Sequence, residues 1–187
     1  MKFFAITPDN ANIDHLIDLL PELGNRGATH LYIRLFAASR VIRPLIEAVA
    51  FAGIVPIVPY VIYKRDMLSC SGVHYKSSEI SLLSQRLPAN PRVITASSHS
   101  SMDARLALQS GAHYVYVSPV YAPLSKPGDR RPLISRDELQ NLIAVHGERI
   151  VLLGGITQER MKKLAEAIIG DFSVAGITLF FGDSVVQ

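Results

Sequence analysis

The stretch RVITASSHSSMDARLALQSGAHYVYVSPVY, residues 92–121, shows the unit from which the chain is built. A short strand candidate (Arg92–Ser97) precedes a segment of helical periodicity (Ser101–Ser110), and a second strand candidate (His113–Ser118) follows it. Most strand candidates in this chain are apolar throughout rather than on alternate residues, as parallel strands buried on both faces are. The stretch therefore predicts a strand–helix–strand unit of an α/β fold.

The same alternation continues along the whole chain, with eight strand candidates separated by amphipathic helix candidates. This pattern predicts a (β/α)8 TIM barrel, and because no linker or charge block divides the sequence, a single domain spans residues 1–187. A doubly wound sheet is the alternative, but no strand candidate is followed by the Gly-x-Gly-x-x-Gly sequence that would favour it. The predicted strands are Lys2–Thr7, His30–Leu35, Ile54–Pro59, Gly72–Lys76, Arg92–Ser97, His113–Ser118, Ile150–Gly154 and Ser173–Thr178. The predicted helices are Ile13–Leu23, Ser39–Phe51, Ser101–Ser110, Ser135–Val145 and Gln158–Ile169.

Two parts of the predicted barrel are reduced. The segment Tyr60–Ser71 between the third and fourth strands is short, and only Phe180–Gln187 follow the eighth strand. These last residues are too few for a full helix, so we expect the final helix to be reduced or missing. An apolar flank that includes Phe180 and Phe181 would then need cover from a partner subunit, which predicts a homodimer.

The composition is that of an ordinary globular protein, with 49% hydrophobic and 19% charged residues. The formal net charge of +3 and the absence of Trp give no sign of a nucleic-acid partner. No apolar run approaches the roughly 20 residues of a membrane span, and Pro8 and Asp9 follow the start too soon for a signal peptide. The single cysteine, Cys70, cannot form an internal disulfide, which fits a reducing compartment. Together these features predict a cytoplasmic protein with no membrane partner.

The ends of the last two strands predict a phosphate site, because the loops after strands seven and eight of a TIM barrel commonly bind phosphate. Strand seven ends at Leu-Gly-Gly-Ile-Thr (153–157), and strand eight ends at Gly-Ile-Thr (176–178). Two glycines let a backbone approach an anion closely, and the start of the next helix offers unpaired N–H groups. The alternative is that the glycines only make a tight turn. The candidate phosphate-binding residues are Gly154, Gly155, Ile177 and Thr178.

His99 is the candidate for proton transfer. It follows strand five directly, in Ser-Ser-His-Ser (97–100), and should therefore lie at the mouth of the barrel. Histidine titrates near neutral pH, which suits it to give and take protons. The alternative is a histidine that caps a helix or packs in the core. The other histidines are weaker candidates, since His74 lies within strand four and His113 begins a strand at the barrel bottom.

Cationic residues near two strand ends are candidates for holding an anionic substrate. Arg34 stands near the end of strand two in an otherwise apolar run, so its charge needs a partner. The long loop after strand six (118–132) carries Ser125, Lys126 and the pair Arg130–Arg131, which could clamp anionic oxygens. The alternative is a solvated loop with scattered charge. No Cys or His spacing indicates a metal site.

Several motifs taken together resemble the thiamine phosphate synthase family, which includes the TenI thiazole tautomerases. The most specific motif begins with Gly-Ala-His-Tyr-Val-Tyr-Val-Ser-Pro-Val-Tyr (111–121) and ends with Ser-Lys-Pro (125–127). It is similar to the family's Gly-Ala-Asp-Tyr-Val strand, Gly-Pro-Val-Phe turn and Thr-Lys-Pro loop. Gly-Val-His (72–74), Ser-Ser-His-Ser (97–100) and Gly-Gly-Ile-Thr (154–157) also match, in sequence order. On this resemblance, the candidate substrate-binding residues are Arg34, Ser97, Ser118, Ser125 and Lys126.

The sequence departs from the synthase where a pyrimidine diphosphate would bind. The synthase has Gln-x-Arg-x-Lys at strand two, but here only Arg34 is kept and Phe36 replaces the lysine. The synthase places Asn-Asp after strand three, whereas this chain has Tyr60 and Val61 there. Glu79 corresponds approximately to the second Mg²⁺ ligand of the synthase. Because Mg²⁺ needs hard oxygen ligands, we expect no metal and no cofactor.

The thiazole-phosphate half of the site is thus better kept than the pyrimidine half. This imbalance resembles the TenI branch, whose members isomerise a carboxythiazole phosphate using a histidine in the Ser-x-His stretch. The leading hypothesis is a TenI-like thiazole tautomerase with His99 as acid and base. A divergent thiamine phosphate synthase, which would use Mg²⁺, is one alternative. A non-catalytic protein that binds thiazole or thiamine phosphate is the other.

Overall fold

Eight parallel strands close into a barrel in sequence order, each strand pairing with the next and the eighth pairing with the first. This arrangement confirms the predicted (β/α)8 TIM barrel. The computed structural model describes residues 1–35, 39–66, 72–85, 87, 90–122, 128 and 130–182. The strands are β1 (Phe3–Ile6), β2 (His30–Tyr32), β3 (Val55–Pro59), β4 (Gly72–Tyr75), β5 (Ile94–Ser98), β6 (Tyr114–Val117), β7 (Ile150–Leu152) and β8 (Ser173–Gly176).

Helices surround the barrel, although β4 is followed by a 3₁₀ helix, Ser77–Leu82, and a second 3₁₀ helix, Gly147–Arg149, precedes β7. No helix in the described part of the chain is long and apolar enough to cross a membrane. The α-helices are α1 (Ile13–Asp18), α2 (Leu20–Asn25), α3 (Ser39–Phe51), α4 (Tyr60–Asp66), α5 (Ser101–Gln109), α6 (Arg136–His146), α7 (Gln158–Ala167) and α8 (Thr178–Phe181).

The prediction of one continuous helix over Ile13–Leu23 is wrong, because this segment forms two helices that meet at Leu19. Pro21 has no N–H to donate to the carbonyl four residues earlier, so a continuous helix would lack this hydrogen bond. Proline is tolerated in the first turn of a helix, which is where Pro21 lies in α2. The break therefore follows from a residue that the apolar periodicity hides.

Apolar and aromatic side chains fill the inside of the barrel, and a second, larger cluster joins the outer faces of the strands to the helices. Because the inside is filled, the barrel is a packed core and a ligand can enter only at one of its ends. The buried residues of the inner cluster are Phe4, Ile6, Tyr32, Ile57, Val93, Tyr116, Val151 and Ala175.

The last helix, α8, has four residues, which confirms that it is reduced. The expectation of an exposed apolar flank is wrong for Phe180, which is only 3% exposed. Arg26, at the end of α2, donates a hydrogen bond from Nη1 to the carbonyl oxygen of Phe180 at 3.0 Å, so the chain itself covers this side. Phe181 remains partly exposed. The homodimer therefore stays a prediction and loses part of its original basis.

Candidate active site

A cavity of about 420 Å³ opens at the carboxyl-terminal ends of the strands, the end at which TIM-barrel enzymes have their active sites. The structure brings three of the predicted residues, Arg34, Ser97 and His99, together in this cavity. Its size lies within the range of roughly 300–1,000 Å³ that small-molecule sites occupy. The residues that line it are Ile6, Asp9, Tyr32, Arg34, His74, Lys76, Ser77, Ser78, Ser97, His99, Tyr116, Arg131 and Leu153.

His99 lies just beyond β5 and has a defined tautomer. Its Nδ1 is 2.9 Å from the carbonyl oxygen of Ser118. Since a carbonyl oxygen only accepts hydrogen bonds, Nδ1 carries the hydrogen and Nε2 keeps its lone pair. Ser118, a predicted substrate-binding residue, is buried, and its hydroxyl is 3.4 Å from the same Nδ1. Ser118 therefore orients His99, and Nε2 is the ring atom able to take up a proton.

A second histidine, His74 on β4, lies at the floor of the cavity and is fixed on both sides. The hydroxyl of Thr95 donates to the carbonyl oxygen of Val73 at 3.3 Å, so it accepts from Nδ1 of His74 at 2.8 Å. Nε2 of His74 then accepts from the hydroxyl of Ser97 at 2.8 Å. Burial, assisted by two nearby cations, lowers the pKa of His74 to about 3, so its ring is neutral. His74 thereby orients Ser97 at the cavity.

Two tyrosines flank His74 and complete the floor. The ring centre of Tyr32 is 4.3 Å from that of His74, and the ring centre of Tyr116 is 4.9 Å from it. Burial raises the pKa of both tyrosines above the ordinary range, so both hydroxyls stay protonated. The floor therefore carries no charge, and the charged groups of the site belong to its mouth.

The mouth of the cavity is positively charged. Arg34, Lys76 and Arg131 line it, and Asp9 is the single carboxylate among its described lining residues. Nε of Arg34 is 2.7 Å from Oδ1 of Asp9, which supplies the partner that the apolar surroundings of Arg34 demanded. The backbone N–H of Arg34 donates to the hydroxyl of Thr7 at 2.9 Å and fixes this segment. The excess of positive charge favours an anionic ligand.

The turns after β7 and β8, where a phosphate site is predicted, lie side by side. The hydroxyl of Thr178 is 3.5 Å from the carbonyl oxygen of Ile156. Gly155 has a φ of +58°, and a Cβ there would lie 2.3 Å from the carbonyl oxygen of Ala122. The close approach that demands glycine is thus to the loop after β6. Within the described part of the chain, the backbone N–H groups of Gly155, Ile177 and Thr178 have no acceptor, which an anion site would require.

The start of the loop after β6 packs directly against the turn after β7. The N–H of Tyr121 donates to the carbonyl oxygen of Gly154 at 3.1 Å, and a Cβ on Gly154 would lie 2.9 Å from Cα of Pro119. Both predicted glycines are therefore needed for the packing of this loop, whatever they bind. The loop residues Ser125 and Lys126, predicted to bind substrate, lie outside the described residues.

The part of the sequence that begins within α4 and ends just after β8 matches a known protein family. A family model described as thiamine monophosphate synthase, TMP-TENI, matches residues 62–177, which is more than half of the chain. The chain belongs to this family. The matched part contains His74, Ser97, His99 and the glycine turn after β7, so the family match covers most of the site described above.

Two curated thiamine-phosphate synthases are similar to this member of the TMP-TENI family. The protein from Clostridium acetobutylicum is 32% identical over 108 residues, which cover 57% of this chain and 50% of the relative. The protein from Koribacter versatilis is 28% identical over 107 residues, which cover 57% of this chain and 49% of the relative. The aligned region thus spans about half the length of these curated relatives.

Solved structures agree with the barrel fold of this family member. The thiamine phosphate pyrophosphorylase from Pyrococcus furiosus superposes with a TM-score of 0.73 at 19% identity, covering 99% of this chain and 89% of that one. A 3-hexulose-6-phosphate synthase superposes with a TM-score of 0.64 at 14% identity, covering 100% of this chain and 94% of that one. At these identities, the likeness concerns the fold alone.

The Mg²⁺ site that the resemblance implies for the synthases of the family does not fit the residues of this chain. Tyr60, after β3, is buried, and its ring stacks on that of Tyr75 at 4.6 Å, while Val61 offers no side-chain oxygen. Oε2 of Glu79 accepts from the backbone N–H of Lys76 at 2.8 Å and begins the 3₁₀ helix. Within the described residues, no group of three or more His, Cys, Asp or Glu side chains could hold a metal ion.

The cavity is also lined by residues that were not predicted from the sequence, among them the four residues Tyr32, His74, Lys76 and Tyr116. Residues on one strand alternate between the inside and the outside of a barrel. His74 was interpreted as a minor structural residue because it lies within a strand. An available signal was that three of the four are polar or aromatic residues at inward positions near the ends of their strands.

Proposed function

We propose that this chain is a TenI-like thiazole tautomerase that isomerises a carboxythiazole phosphate by acid–base catalysis, without a cofactor. The observation that carries the proposal is the contact between Nδ1 of His99 and the carbonyl oxygen of Ser118, which leaves a lone pair on Nε2 at the cavity. A neutral imidazole held in this way can remove a proton from a bound ring. The cationic mouth supports an anionic substrate.

The proposed reaction moves a proton within the substrate and transfers no electrons to or from the protein. Nε2 of His99 removes a proton from one ring position, and the electron pair of the broken bond stays in the substrate. The hydrogen bond from Nδ1 to Ser118 stabilises the resulting imidazolium. The imidazolium then delivers a proton to a second ring position, and His99 returns to its starting state.

Two anchors at opposite ends of the substrate would place its ring against His99. The backbone N–H groups of Gly155 and Thr178 are the proposed phosphate donors, since no described residue accepts from them. The cationic mouth, with Arg34 on one side, is the proposed position of the carboxylate. Fixing both ends makes proton transfer effectively unimolecular and favours a reactive geometry.

A divergent thiamine phosphate synthase is the second candidate, and the names of the two curated relatives favour it. The residues after β3 argue against the synthase, because Tyr60 and Val61 stand where the synthase has the carboxylate that binds Mg²⁺. We therefore expect no Mg²⁺-dependent formation of thiamine phosphate from a pyrimidine diphosphate and thiazole phosphate. Turnover of about 1 per second or faster with both substrates and excess Mg²⁺ would make the synthase the better proposal.

The tautomerase is tested by incubating the protein with carboxythiazole phosphate in D₂O and following the ring signals by ¹H NMR. Because the imidazole proton exchanges with solvent, isomerisation through His99 should incorporate deuterium into the product. A parallel sample with pyrimidine diphosphate and Mg²⁺ measures the coupling reaction. Binding of either phosphate ligand with neither reaction would favour the third candidate, a non-catalytic binding protein.

A further inference from the structure

A second cavity, of about 550 Å³, lies at the amino-terminal ends of the strands, opposite the candidate active site. Its lining residues Arg92, His113 and Arg149 stand one or two residues before the start of a strand, and His30 begins β2. The side chains of the inner cluster fill the barrel between the two cavities. A ligand in this second cavity would therefore be separate from one held beside His99.

Arg149 is held in place with its positive charge uncompensated. Its Nη2 donates to the carbonyl oxygen of Ala112 at 2.8 Å, and its Nε donates to that of His113 at 3.2 Å. A guanidinium has five N–H donors, so three are left for a ligand. The carboxylate of the adjacent Glu148 faces the amino terminus instead, with 3.6 Å between Oε2 and the nitrogen of Met1. Among the described residues, no carboxylate forms an ion pair with Arg149.

Arg92 and His113 add further donors to the same cavity. Arg92 is exposed and makes no side-chain hydrogen bond or ion pair within the described part of the chain. The backbone N–H of Ile94 donates to Nδ1 of His113 at 2.9 Å, so the ring hydrogen is on Nε2. Burial, assisted by Arg149, lowers the pKa of His113, so this ring is a neutral donor at pH 7.

The more buried wall of the cavity is aromatic and uncharged. His30 is buried, its ring stacks on Phe4 with 4.3 Å between centres, and the edge of Tyr114 meets it at 5.8 Å. Burial lowers the pKa of His30 to about 4, so its ring is neutral. No carboxylate is among the residues that line the cavity, all of which the structure describes. The cavity thus combines two unpaired positive charges with an aromatic wall.

We propose that this cavity binds a dianionic phosphate group, free or carried by a small organic molecule, as a second anion site. Two guanidinium groups match the two negative charges of a phosphate near neutral pH, and their N–H groups pair well with its oxygens. Nε2 of His113 supplies a further donor. The rings of His30 and Tyr114 offer an apolar contact to an organic ligand that inorganic phosphate would not use. This inference does not depend on the proposed tautomerase.

The site is tested by following the ring signals of His113 in ¹H–¹⁵N NMR spectra during titration with inorganic phosphate and with phenyl phosphate. Low ionic strength keeps the charges unscreened. We expect the His113 signals to shift to saturation with both anions, because His113 lines the proposed site. Tighter binding of phenyl phosphate would assign an organic phosphate as the ligand, and equal or tighter binding of inorganic phosphate would assign the free anion.

Two matched variants test the role of charge in the cavity. Arg92→Met should raise the dissociation constant measured at His113 about tenfold to one hundredfold, as loss of charge-assisted hydrogen bonds does. Arg43→Met removes the same charge from an exposed position on α3 outside the cavity and should leave the dissociation constant nearly unchanged. Gly155→Ala, at the other proposed phosphate site, should also leave it unchanged.

A saturable shift at His113 that Arg92→Met alone weakens supports the inference. The absence of a saturable shift with either anion overturns it, and so does an equal weakening in Arg92→Met and Arg43→Met. Loss of the His113 response in Gly155→Ala would overturn the claim that the two sites are separate. None of these measurements involves turnover, so they are independent of the outcome for the tautomerase.

Discussion

At the scale of single residues, two histidines on neighbouring strands show how surroundings decide a role. His74 is buried, and both of its nitrogens bond to protein hydroxyls, so its position and its neutral state are fixed. His99 is partly exposed, and the backbone carbonyl oxygen of Ser118 accepts from its Nδ1. The first is therefore a positioning residue for Ser97, and the second is suited to proton transfer.

His74 should make the folded protein less stable in acid. Its pKa is about 3 in the folded chain and about 6.5 for an unperturbed histidine, so the unfolded chain binds more protons between these pH values. The contribution of neutral His74 to the free energy of unfolding is full above about pH 6.5 and is lost as the pH falls toward 3. Urea denaturation of His74→Gln should therefore show a smaller decrease in this free energy between about pH 6.5 and 4 than the wild type shows.

His30 provides the comparison for that experiment. Burial also lowers the pKa of His30, to about 4, so His30→Gln should likewise reduce the acid sensitivity. If His74→Gln instead keeps the full acid sensitivity of the wild type, then His74 is not neutral and buried in the way the structure has it.

The site residues predicted from the sequence were those that follow a strand, such as His99 and Arg34. The rule that TIM-barrel function lies at strand ends was enough to find them. His74 and Tyr116 were missed for a physical reason. When a strand is buried on both faces, its apolar pattern does not show which residues point into the barrel. Only the closed sheet separates the inward residues from the outward ones.

At the scale of elements, the turn after β7 and the loop after β6 form one packed unit. Gly155 needs its positive φ and also the absence of a Cβ, which would lie 2.3 Å from the carbonyl oxygen of Ala122. Gly53 also has a positive φ, +76°, but a Cβ there would have nothing within 4 Å. Substitutions at these two glycines therefore distinguish the cost of backbone strain from the cost of the close approach of the loop.

Gly155→Ala should lower stability more than Gly53→Ala. The control substitution should lower the free energy of unfolding by about 1–2 kcal/mol, from the left-handed conformation alone. Gly155→Ala should lower it by about a further 1–3 kcal/mol, because the loop has to shift. It should also weaken binding of inorganic phosphate, measured by calorimetry. Equal losses of stability in the two variants would show that the loop does not press on this turn.

The elements themselves were largely predictable, because eight short apolar runs indicate buried strands and the segments between them have the helical period. The break between α1 and α2 at Leu19 was not predicted, since the apolar residues keep a helical spacing across it. The 3₁₀ helix Ser77–Leu82 was also missed, because such short helices have no amphipathic period of their own.

At the scale of the whole molecule, the barrel supports many chemistries, so the fold alone does not decide the reaction. The family match and the cationic mouth of the cavity support the proposed reaction of a phosphorylated thiazole. The choice between the proposed tautomerase and the alternative synthase depends on the few side chains that would hold Mg²⁺ or transfer a proton.

Assembly is a second property at this scale. We expect a homodimer, and an obligate interface should bury about 2,000 Å² or more in total. The buried Phe180 shows that the flank beside α8 is partly covered within one chain, so the interface should involve more of the surface than that flank. Sedimentation equilibrium at high micromolar concentration should give the mass of two chains. The mass of one chain would refute the dimer.

The most direct test of the central claim is the turnover of carboxythiazole phosphate by the wild type, His99→Ala and His99→Asn. General acid–base catalysis is worth about 100- to 10,000-fold, so both variants should lose turnover by that factor. Their affinity for a phosphate ligand should stay nearly unchanged, because the proposed phosphate donors lie on the turns after β7 and β8. If His99→Ala turns over carboxythiazole phosphate at the wild-type rate, His99 does not transfer the proton and the proposed acid–base mechanism is wrong.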